Sequence, residues 1–270
     1  MKKLLVLLSL FVLILSGCGD DAGSSDDSSK KEVLKVASLI PPMTDILELI
    51  KPQLLKEGIE LEVVVLGDNV QPNEALSTKE VDANFFQHVP YMEQYNRSKD
   101  ANLVPITPIY FANYGVYAKD YDSIDALPDG ATVAIANDIS NVDRSLQLLA
   151  QHGVIKLKDK TEPYWTVKDV SENPKNLKFE EVDLLMLARM YDDADAVVMT
   201  PAYAAPLGLT PKRDALLTEG VENEFAITLV AREDNKNDKK IKKLAEAMTS
   251  SEVKQFLEEN YAETAIPAFK

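Results

Sequence analysis

The sequence has 270 residues, 46% of them hydrophobic, which is enough to fold around one large core or two medium ones and excludes a disordered chain. Its 44 acidic and 29 basic residues give a net charge of -15, which argues against binding nucleic acid or anionic headgroups through a basic face. A single cysteine excludes an intramolecular disulfide and a zinc site built on several thiolates.

The N-terminus has the pattern of a bacterial lipoprotein signal. A cationic start is followed by an apolar run from Leu4 to Leu15, and two small residues then precede Cys18. The run is too short to remain as a membrane-spanning helix. We predict that residues 1–17 are a cleaved signal peptide and that Cys18 is lipidated. This would anchor the protein to the extracytoplasmic face of the cell membrane. Residues 18–31, rich in Gly, Ser and Asp, are predicted to form a flexible tether.

From Val33 onwards, short apolar runs alternate with amphipathic stretches, which is typical of an α/β fold. Thr44 is suited to cap the first helix, and Gly58 is suited to end it. The first half is predicted to contain strands at 34–39 and 59–66 and a helix at 45–56. A further helix is predicted to begin with residues 73–77, and a strand to follow Asp82-Ala83. The second half is predicted to contain strands at 131–136 and 225–232 and helices at 141–151, 239–248 and 252–261.

A short internal sequence repeat suggests two lobes with similar topology. Asp82-Ala83 and Asp195-Ala196 each stand directly before an apolar strand that follows a helix. If the last helices rejoin the first lobe, the chain crosses between the lobes twice. We therefore predict a first lobe from residues 32–115 and 227–270 and a second lobe from residues 116–226. A ligand is expected in the crevice between them.

The sequence offers little for catalysis. It has two histidines and lacks a nucleophile elbow, a Walker A run, a dinucleotide-binding glycine motif and an H-E-x-x-H motif. No side chain is predicted to form a nucleophile with a base and an orienting group. We therefore predict that the protein is not an enzyme and needs no cofactor or metal.

The polar and aromatic groups after the third strand are candidates for a ligand site. Phe86 and Tyr91 can form apolar walls, while Gln87 and His88 can give polar direction at the carboxyl end of a buried strand. A purely structural aromatic cluster is the alternative for each of these residues.

Arg144 is the best polar candidate. It lies one turn into the helix that is predicted to begin near Asn141, so its guanidinium and the free amides of that helix start can face the same carboxylate. The alternative is a solvent-exposed arginine paired with Asp138 or Asp143.

The run Asp82-Ala83-Asn84-Phe85-Phe86-Gln87-His88-Val89-Pro90-Tyr91 resembles the NlpA family of lipoproteins, and the resemblance extends over nearly all of Val33 to Phe269. It implies the methionine-binding component of an ABC importer, with a two-lobe, type II periplasmic-binding-protein-like fold and two crossover segments. The lobes would close on a small-molecule ligand, and the protein would dock as a monomer on an ABC permease and its ATPase.

Carried over by position, the resemblance implies that Phe86 and His88 contact the methionine side chain and that Arg144 grips its carboxylate. Asn141 and Tyr203 also stand on matching positions. Thr200, a further ligand-binding candidate, begins the run Thr200-Pro201-Ala202-Tyr203, where the family has an Asn-Gly-Asn-Tyr-like run.

Some positions depart from the family pattern. Thr200 is one of them, and Ile227 replaces an asparagine in the final crossover strand. The ligand is therefore left open between methionine, another amino acid and a short peptide. A surface lipoprotein with a diverged pocket that acts as an adhesin or antigen is the competing hypothesis.

Overall fold

The computed structural model describes residues 31–270. The predicted signal peptide, the lipidated Cys18 and all of the predicted tether except Lys31 lie outside these residues. None of the helices between Lys31 and Lys270 has both the length and the apolar character that crossing a membrane requires.

Strands and helices alternate along the chain, as the sequence predicts for an α/β fold. The strands are β1 (Glu32–Ser38), β2 (Ile59–Val65), β3 (Ala83–His88), β4 (Leu103–Phe111), β5 (Gly115–Tyr117), β6 (Thr132–Ala136), β7 (Lys156–Leu157), β8 (Val170–Glu172), β9 (Lys178–Val182), β10 (Ala196–Met199), β11 (Leu217–Thr218), β12 (Ala226–Arg232) and β13 (Ile266–Pro267). The α-helices are α1 (Met43–Lys56), α2 (Gln71–Ser77), α3 (Val89–Lys99), α4 (Ile139–Gln151), α5 (Leu187–Asp193), α6 (Pro201–Ala204), α7 (Pro211–Asp214), α8 (Lys239–Met248) and α9 (Ser251–Asn260). Short 3-10 turns span Ile124–Ala126, Val167–Asp169, Leu184–Met186 and Ala205–Leu207.

Two mixed sheets organise most of these elements, and β7 and β8 form a separate two-stranded antiparallel sheet. The first sheet has the order β13-β4-β12-β3-β1-β2, and the second has the order β11-β5-β10-β6-β9. We call the first sheet with α1, α2, α3, α8 and α9 the first lobe, and the second sheet with α4 to α7 the second lobe. The chain passes from the first sheet to the second between β4 and β5 and returns between β11 and β12.

Each sheet is buried by helices on both faces. In the first lobe, α1, α8 and α9 pack on one face through residues such as Ile46 and Leu244, and α2 and α3 cover the other through Leu76 and Met92. In the second lobe, α4 packs on one face and α5 on the other. Because both faces are covered, the central strands carry continuous apolar runs.

The predicted elements are all present, with ends that move by a few residues at most. The predicted cap of α1 is wrong. The helix begins at Met43, so Thr44 lies inside its first turn, and Pro42 takes the capping position without a side-chain hydrogen bond. A proline is compatible with a helix start because its missing N–H has no partner there in any case.

Candidate functional site

A cavity of about 590 Å³, counting its mouth, lies where the carboxyl ends of β3 and β10 meet the start of α4. The cavity is lined by residues of both lobes: Leu39, Ile40, Met43, Asn69, Phe86, Gln87, His88, Tyr91, Tyr110, Ala112, Tyr114, Asn141, Arg144, Leu184, Thr200, Ala202, Tyr203 and Ile227.

All seven candidate ligand-binding residues are part of this lining. β3 ends with Phe86 and His88, and Tyr91 follows in the first turn of α3; α4 carries Asn141 and Arg144. Thr200 and Tyr203 lie directly after β10. The structure therefore brings together residues that are far apart in the sequence. That they contact a ligand stays a prediction.

Arg144 is almost completely buried and forms a two-pronged ion pair with Glu219. Its Nε donates to Glu219 Oε1 at 2.8 Å, and its Nη2 donates to Glu219 Oε2 at 2.6 Å. The side chains are 2% and 6% exposed. Nη2 also donates to the carbonyl oxygen of Ala112 at 2.8 Å. One edge of the guanidinium is therefore fully occupied by protein groups.

Two aromatic rings hold the faces of the same guanidinium. The Cζ atom of Arg144 lies 3.9 Å from the ring centroid of Tyr114 and 4.6 Å from that of Phe225. Such stacking is favourable and fixes the plane of the guanidinium. Within the described part of the chain, Nη1 has no hydrogen-bond acceptor, although it carries two N–H donors. Arg144 as a residue is part of the cavity lining.

The structure rules out the alternative for Arg144, a solvent-exposed side chain paired with Asp138 or Asp143. Arg144 is buried, and its partner is Glu219. The start of α4 also lacks the expected free amide at Asn141, because Asp138 Oδ1 accepts this N–H at 3.1 Å as the N-cap. Sequence reasoning missed Glu219 because no local pattern links a carboxylate to an arginine 75 positions away.

His88 is buried in a neutral state. Its Nδ1 accepts the backbone N–H of Tyr91 at 3.2 Å, so the ring proton is on Nε2, which donates to Asn141 Oδ1 at 3.1 Å. Burial lowers the pKa of His88 from 6.5 to about 3, and the charge of Arg144 adds to this effect. Both ring nitrogens are occupied, so His88 can offer a ligand its ring surface but no free nitrogen.

Asn141 connects the two lobes at the base of the cavity. Its Oδ1 accepts both the His88 N–H and the Tyr114 hydroxyl, the latter at 2.7 Å, and its Nδ2 donates to Asp138 Oδ2 at 2.8 Å. Burial raises the pKa of Asp138 and that of the Tyr114 hydroxyl. Since each group has a partner, the network costs little to bury and holds Asn141 in one orientation.

Phe86 and Tyr91 form one wall. Their rings meet edge to face with centroids 5.9 Å apart, and the Tyr91 hydroxyl donates to the carbonyl oxygen of Asn69 at 3.0 Å. The Asn69 side chain in turn donates to the Tyr203 hydroxyl at 3.3 Å, which again joins the two lobes. Both tyrosines therefore present a ring to the cavity while their hydroxyl groups are used in the wall.

Thr200 and Ile227, two of the positions that depart from the family pattern, also line the cavity. The Thr200 hydroxyl accepts the N–H of Ala202 at 3.3 Å and so caps α6. Ile227 lies in β12 opposite His88 and Tyr110 and is 8% exposed. An apolar side chain at Ile227 offers dispersion contacts to a ligand but no hydrogen bond.

Gln87 also lines the cavity, but its amide is used inside the first lobe. It exchanges hydrogen bonds with Asn73, at 2.8 and 2.6 Å, and donates to Asn84 at 3.0 Å. These buried amides join α2 to β3. The predicted role of Gln87 in giving polar direction to a ligand is therefore weakened by the structure, because its amide groups already have partners.

Several known proteins are similar to this chain. It matches the model of the NlpA lipoprotein family over residues 34–269. It is 38% identical to the methionine-binding lipoprotein MetQ of Bacillus subtilis over 274 residues, which cover 99% of both chains. Among solved structures, it resembles a nutrient-binding protein from Burkholderia cenocepacia bound to methionine, with a TM-score of 0.84 and 35% identity over 87% of this chain and 100% of that one. It also resembles an ABC transporter periplasmic substrate-binding protein from Coxiella burnetii, with a TM-score of 0.82 and 36% identity over 87% and 100%. The predicted binding-protein fold is thereby confirmed.

Proposed function

Because the chain belongs to the NlpA lipoprotein family, we propose that it is the substrate-binding lipoprotein of an ABC importer. It captures methionine or a closely related amino acid in the cavity around Arg144. The family relatives named as methionine-binding and the methionine-bound solved structure support this proposal over the adhesin or antigen hypothesis.

The unpaired edge of Arg144 is the observation that carries the proposal. A buried guanidinium normally has acceptors for all of its N–H groups. Here Nε and Nη2 are bound by Glu219 and Ala112, while Nη1 is left for the cavity. A ligand carboxylate would accept from Nη1 in a charge-assisted hydrogen bond, which is stronger than one between neutral groups.

The remaining lining suits the rest of an amino acid with an apolar side chain. Leu39, Ile40, Met43, Phe86 and Ile227 provide apolar surface for a thioether or a branched alkyl group. Among residues 31–270, no aspartate or glutamate lines the cavity, so a ligand ammonium would rely on neutral oxygen acceptors in the wall. This combination favours a neutral zwitterion over a strongly cationic ligand.

The partners and location follow from the same proposal. The protein would deliver its ligand to an ABC permease with its ATPase, as a monomer attached through the lipid on Cys18 to the extracytoplasmic face of the cell membrane. The name of the Coxiella burnetii relative supports the transporter, and the lipoprotein family supports the anchor. The lobe limits predicted at residues 115/116 and 226/227 stay a prediction. Each differs by one residue from the sheets, since Gly115 begins β5 of the second lobe and Ala226 begins β12 of the first.

A binding role fits the cavity better than an enzymatic one. His88, the histidine of the described lining, has both ring nitrogens occupied, and the Thr200 hydroxyl caps a helix. In the described lining there is no serine or cysteine. A nucleophile paired with a base is therefore missing from this site, and we propose that the ligand leaves chemically unchanged.

We expect purified protein, freed of ligand by unfolding and refolding, to bind L-methionine in titration calorimetry. L-Methioninamide, which lacks the carboxylate, is expected to bind about 100-fold more weakly because the contact to Arg144 Nη1 is lost. The same titration with other amino acids and with dipeptides would rank the related ligands. Equal affinity for methionine and its amide would contradict the role of Arg144, and no binding of any of these compounds would favour the adhesin hypothesis.

Tyr164 makes a contact between the lobes outside the cavity. Its hydroxyl donates to the carbonyl oxygen of Pro90 at 2.8 Å and accepts from Arg97, whose Cζ lies 4.9 Å from the Tyr164 ring. The next residue, Trp165, is held to α4 because its N–H donates to Asp143 at 2.7 Å. This contact would hold the lobes together while a ligand is bound.

We expect Tyr164→Phe to raise the dissociation rate of L-methionine at least about 5-fold, because the hydroxyl loses both of its hydrogen bonds across the lobes, each worth about 1 kcal/mol, while the ring remains. Stopped-flow displacement would measure the rate. Tyr121→Phe is the matched control, since the Tyr121 hydroxyl lies 3.5 Å from Asp195 inside the second lobe. Equal rates for the wild type and the Tyr164 variant would rule out this role.

A further inference from the structure

Glu219 is close to the cavity but is not part of its lining. Its carboxylate accepts from Arg144 Nε and Nη2 and also from the backbone N–H of Tyr114, at 2.8 Å. The backbone N–H of Glu219 donates to the Tyr114 carbonyl at 3.0 Å. Glu219 is thus fixed on the far side of the guanidinium, away from the edge that a ligand can reach.

Few of the charged groups around the cavity are buried in its wall. Of the described residues that line it, Arg144 alone carries a charge, because His88 is neutral. Behind the lining are the carboxylates of Glu219 and the α4 cap Asp138, and the more exposed Asp68 and Asp183 also raise the pKa of the lining Tyr91. In the low dielectric of a protein interior, such charges act over several ångströms on any charge that enters the cavity.

We propose that Glu219 determines the charge selectivity of the site. By compensating Arg144, it makes the cavity prefer ligands that carry an ammonium group beside their carboxylate over ligands that carry the carboxylate alone. This inference rests on the proposed function, since it concerns the same cavity and the same contact to Arg144.

The physical argument is one of charge balance. The guanidinium and the Glu219 carboxylate together are neutral, so a zwitterion enters without adding net charge to a buried site. A lone carboxylate adds one uncompensated negative charge, and burial of an uncompensated charge is unfavourable. If Glu219 were neutral, Arg144 would itself need a counter-ion, and the lone carboxylate would become the better partner.

Glu219 also positions the guanidinium, and this second role can be separated from the first. A displaced guanidinium weakens the contact to every carboxylate, whether or not the ligand has an ammonium group. The ratio of the two dissociation constants therefore cancels the positioning effect and retains the interaction between Glu219 and the ammonium. The charges of Asp138, Asp68 and Asp183 are the same in both proteins and cancel as well.

The test compares L-methionine with 4-(methylthio)butanoate, which is methionine without its ammonium group. Calorimetry on the wild type and on Glu219→Gln would give the two dissociation constants. We expect the variant to shift their ratio by about 10-fold or more in favour of the butanoate. Loss of the unit charge of Glu219 from the wall of a buried site is sufficient for an effect of this size. Glutamine keeps one acceptor oxygen, which can accept from the Tyr114 N–H and Arg144 Nη2, while its NH2 group replaces the oxygen that accepts from Arg144 Nε. Any displacement of the guanidinium that follows weakens the binding of both ligands and cancels in the ratio.

Glu219→Asp is the control, because it keeps the charge, and we expect its ratio to stay near that of the wild type. If the Gln variant does not fold, Glu219→Asn against Glu219→Asp repeats the comparison with a shorter side chain. A ratio that is unchanged in the neutral variant would overturn this inference alone. A wild type that binds neither compound would overturn the proposed function and this inference with it.

Discussion

Arg144→Ala is expected to lower the free energy of unfolding by about 3 to 5 kcal/mol, because it leaves the Glu219 carboxylate buried without its partner. The pair is two-pronged and 2% and 6% exposed, so water cannot replace the guanidinium without rearrangement. The same change removes the Nη1 donors, and binding of L-methionine should become about 100-fold weaker or be lost. Urea unfolding and calorimetry would measure the two effects.

A double variant separates stability from binding. Arg144→Met with Glu219→Gln removes both charges at similar volume, and replacement of a whole buried pair is often tolerated. We expect it to recover at least half of the stability lost in Arg144→Ala while binding of L-methionine stays weak. If Arg144→Ala were as stable as the wild type, the Glu219 carboxylate would have to be hydrated or paired with another group. A double variant with wild-type affinity would show that the ligand carboxylate binds elsewhere.

The second large effect concerns pH. The pKa of His88 is lowered from 6.5 to about 3 in the folded protein, so below pH 6.5 the unfolded chain binds a proton that the folded protein does not. The contribution of neutral His88 is therefore fully present above pH 6.5 and decreases as the pH falls toward the folded pKa. When the pH falls from 7 to 5, we expect the free energy of unfolding to decrease by about 2 kcal/mol because of His88 alone.

Urea unfolding at pH 7 and pH 5 would test this expectation in the wild type and in His88→Asn. Asparagine can still accept the N–H of Tyr91 as a helix cap but does not titrate. The variant should therefore lose about 2 kcal/mol less than the wild type over the same range. His152→Asn is the control, since the His152 side chain is exposed at the end of α4. This variant should lose as much free energy of unfolding between pH 7 and pH 5 as the wild type. Identical pH dependence in the wild type and His88→Asn would contradict a buried, neutral His88.

Much of the fold could be predicted because its signals are local. Apolar periodicity, the helix stop at Gly58 and the Asp-Ala entries to β3 and β10 depend on neighbouring residues, and these elements are present. The α1 start was predicted incorrectly because a threonine beside two prolines gives two possible starts, and only packing selects between them. The group of candidate residues could also be found, since Phe86, His88 and Tyr91 lie in one short run.

The partners of these residues could not be predicted in the same way. The ring nitrogens of His88 are taken by Tyr91 and Asn141, and the amide of Gln87 by Asn73 and Asn84. These bonds form only when separate strands and helices meet. A side chain that looks free in the sequence can therefore have no group left for a ligand.

The sequence by itself determined the α/β class, the family and the presence of an arginine suited to hold a carboxylate. The tertiary structure decided which edge of that arginine is free, because Glu219 reaches it from 75 positions along the chain and Phe225 and Tyr114 stack on its faces. Periodicity and capping act over a few residues, whereas a buried ion pair depends on how two distant segments pack. Charge compensation at this site is for that reason a property of the folded protein rather than of any motif.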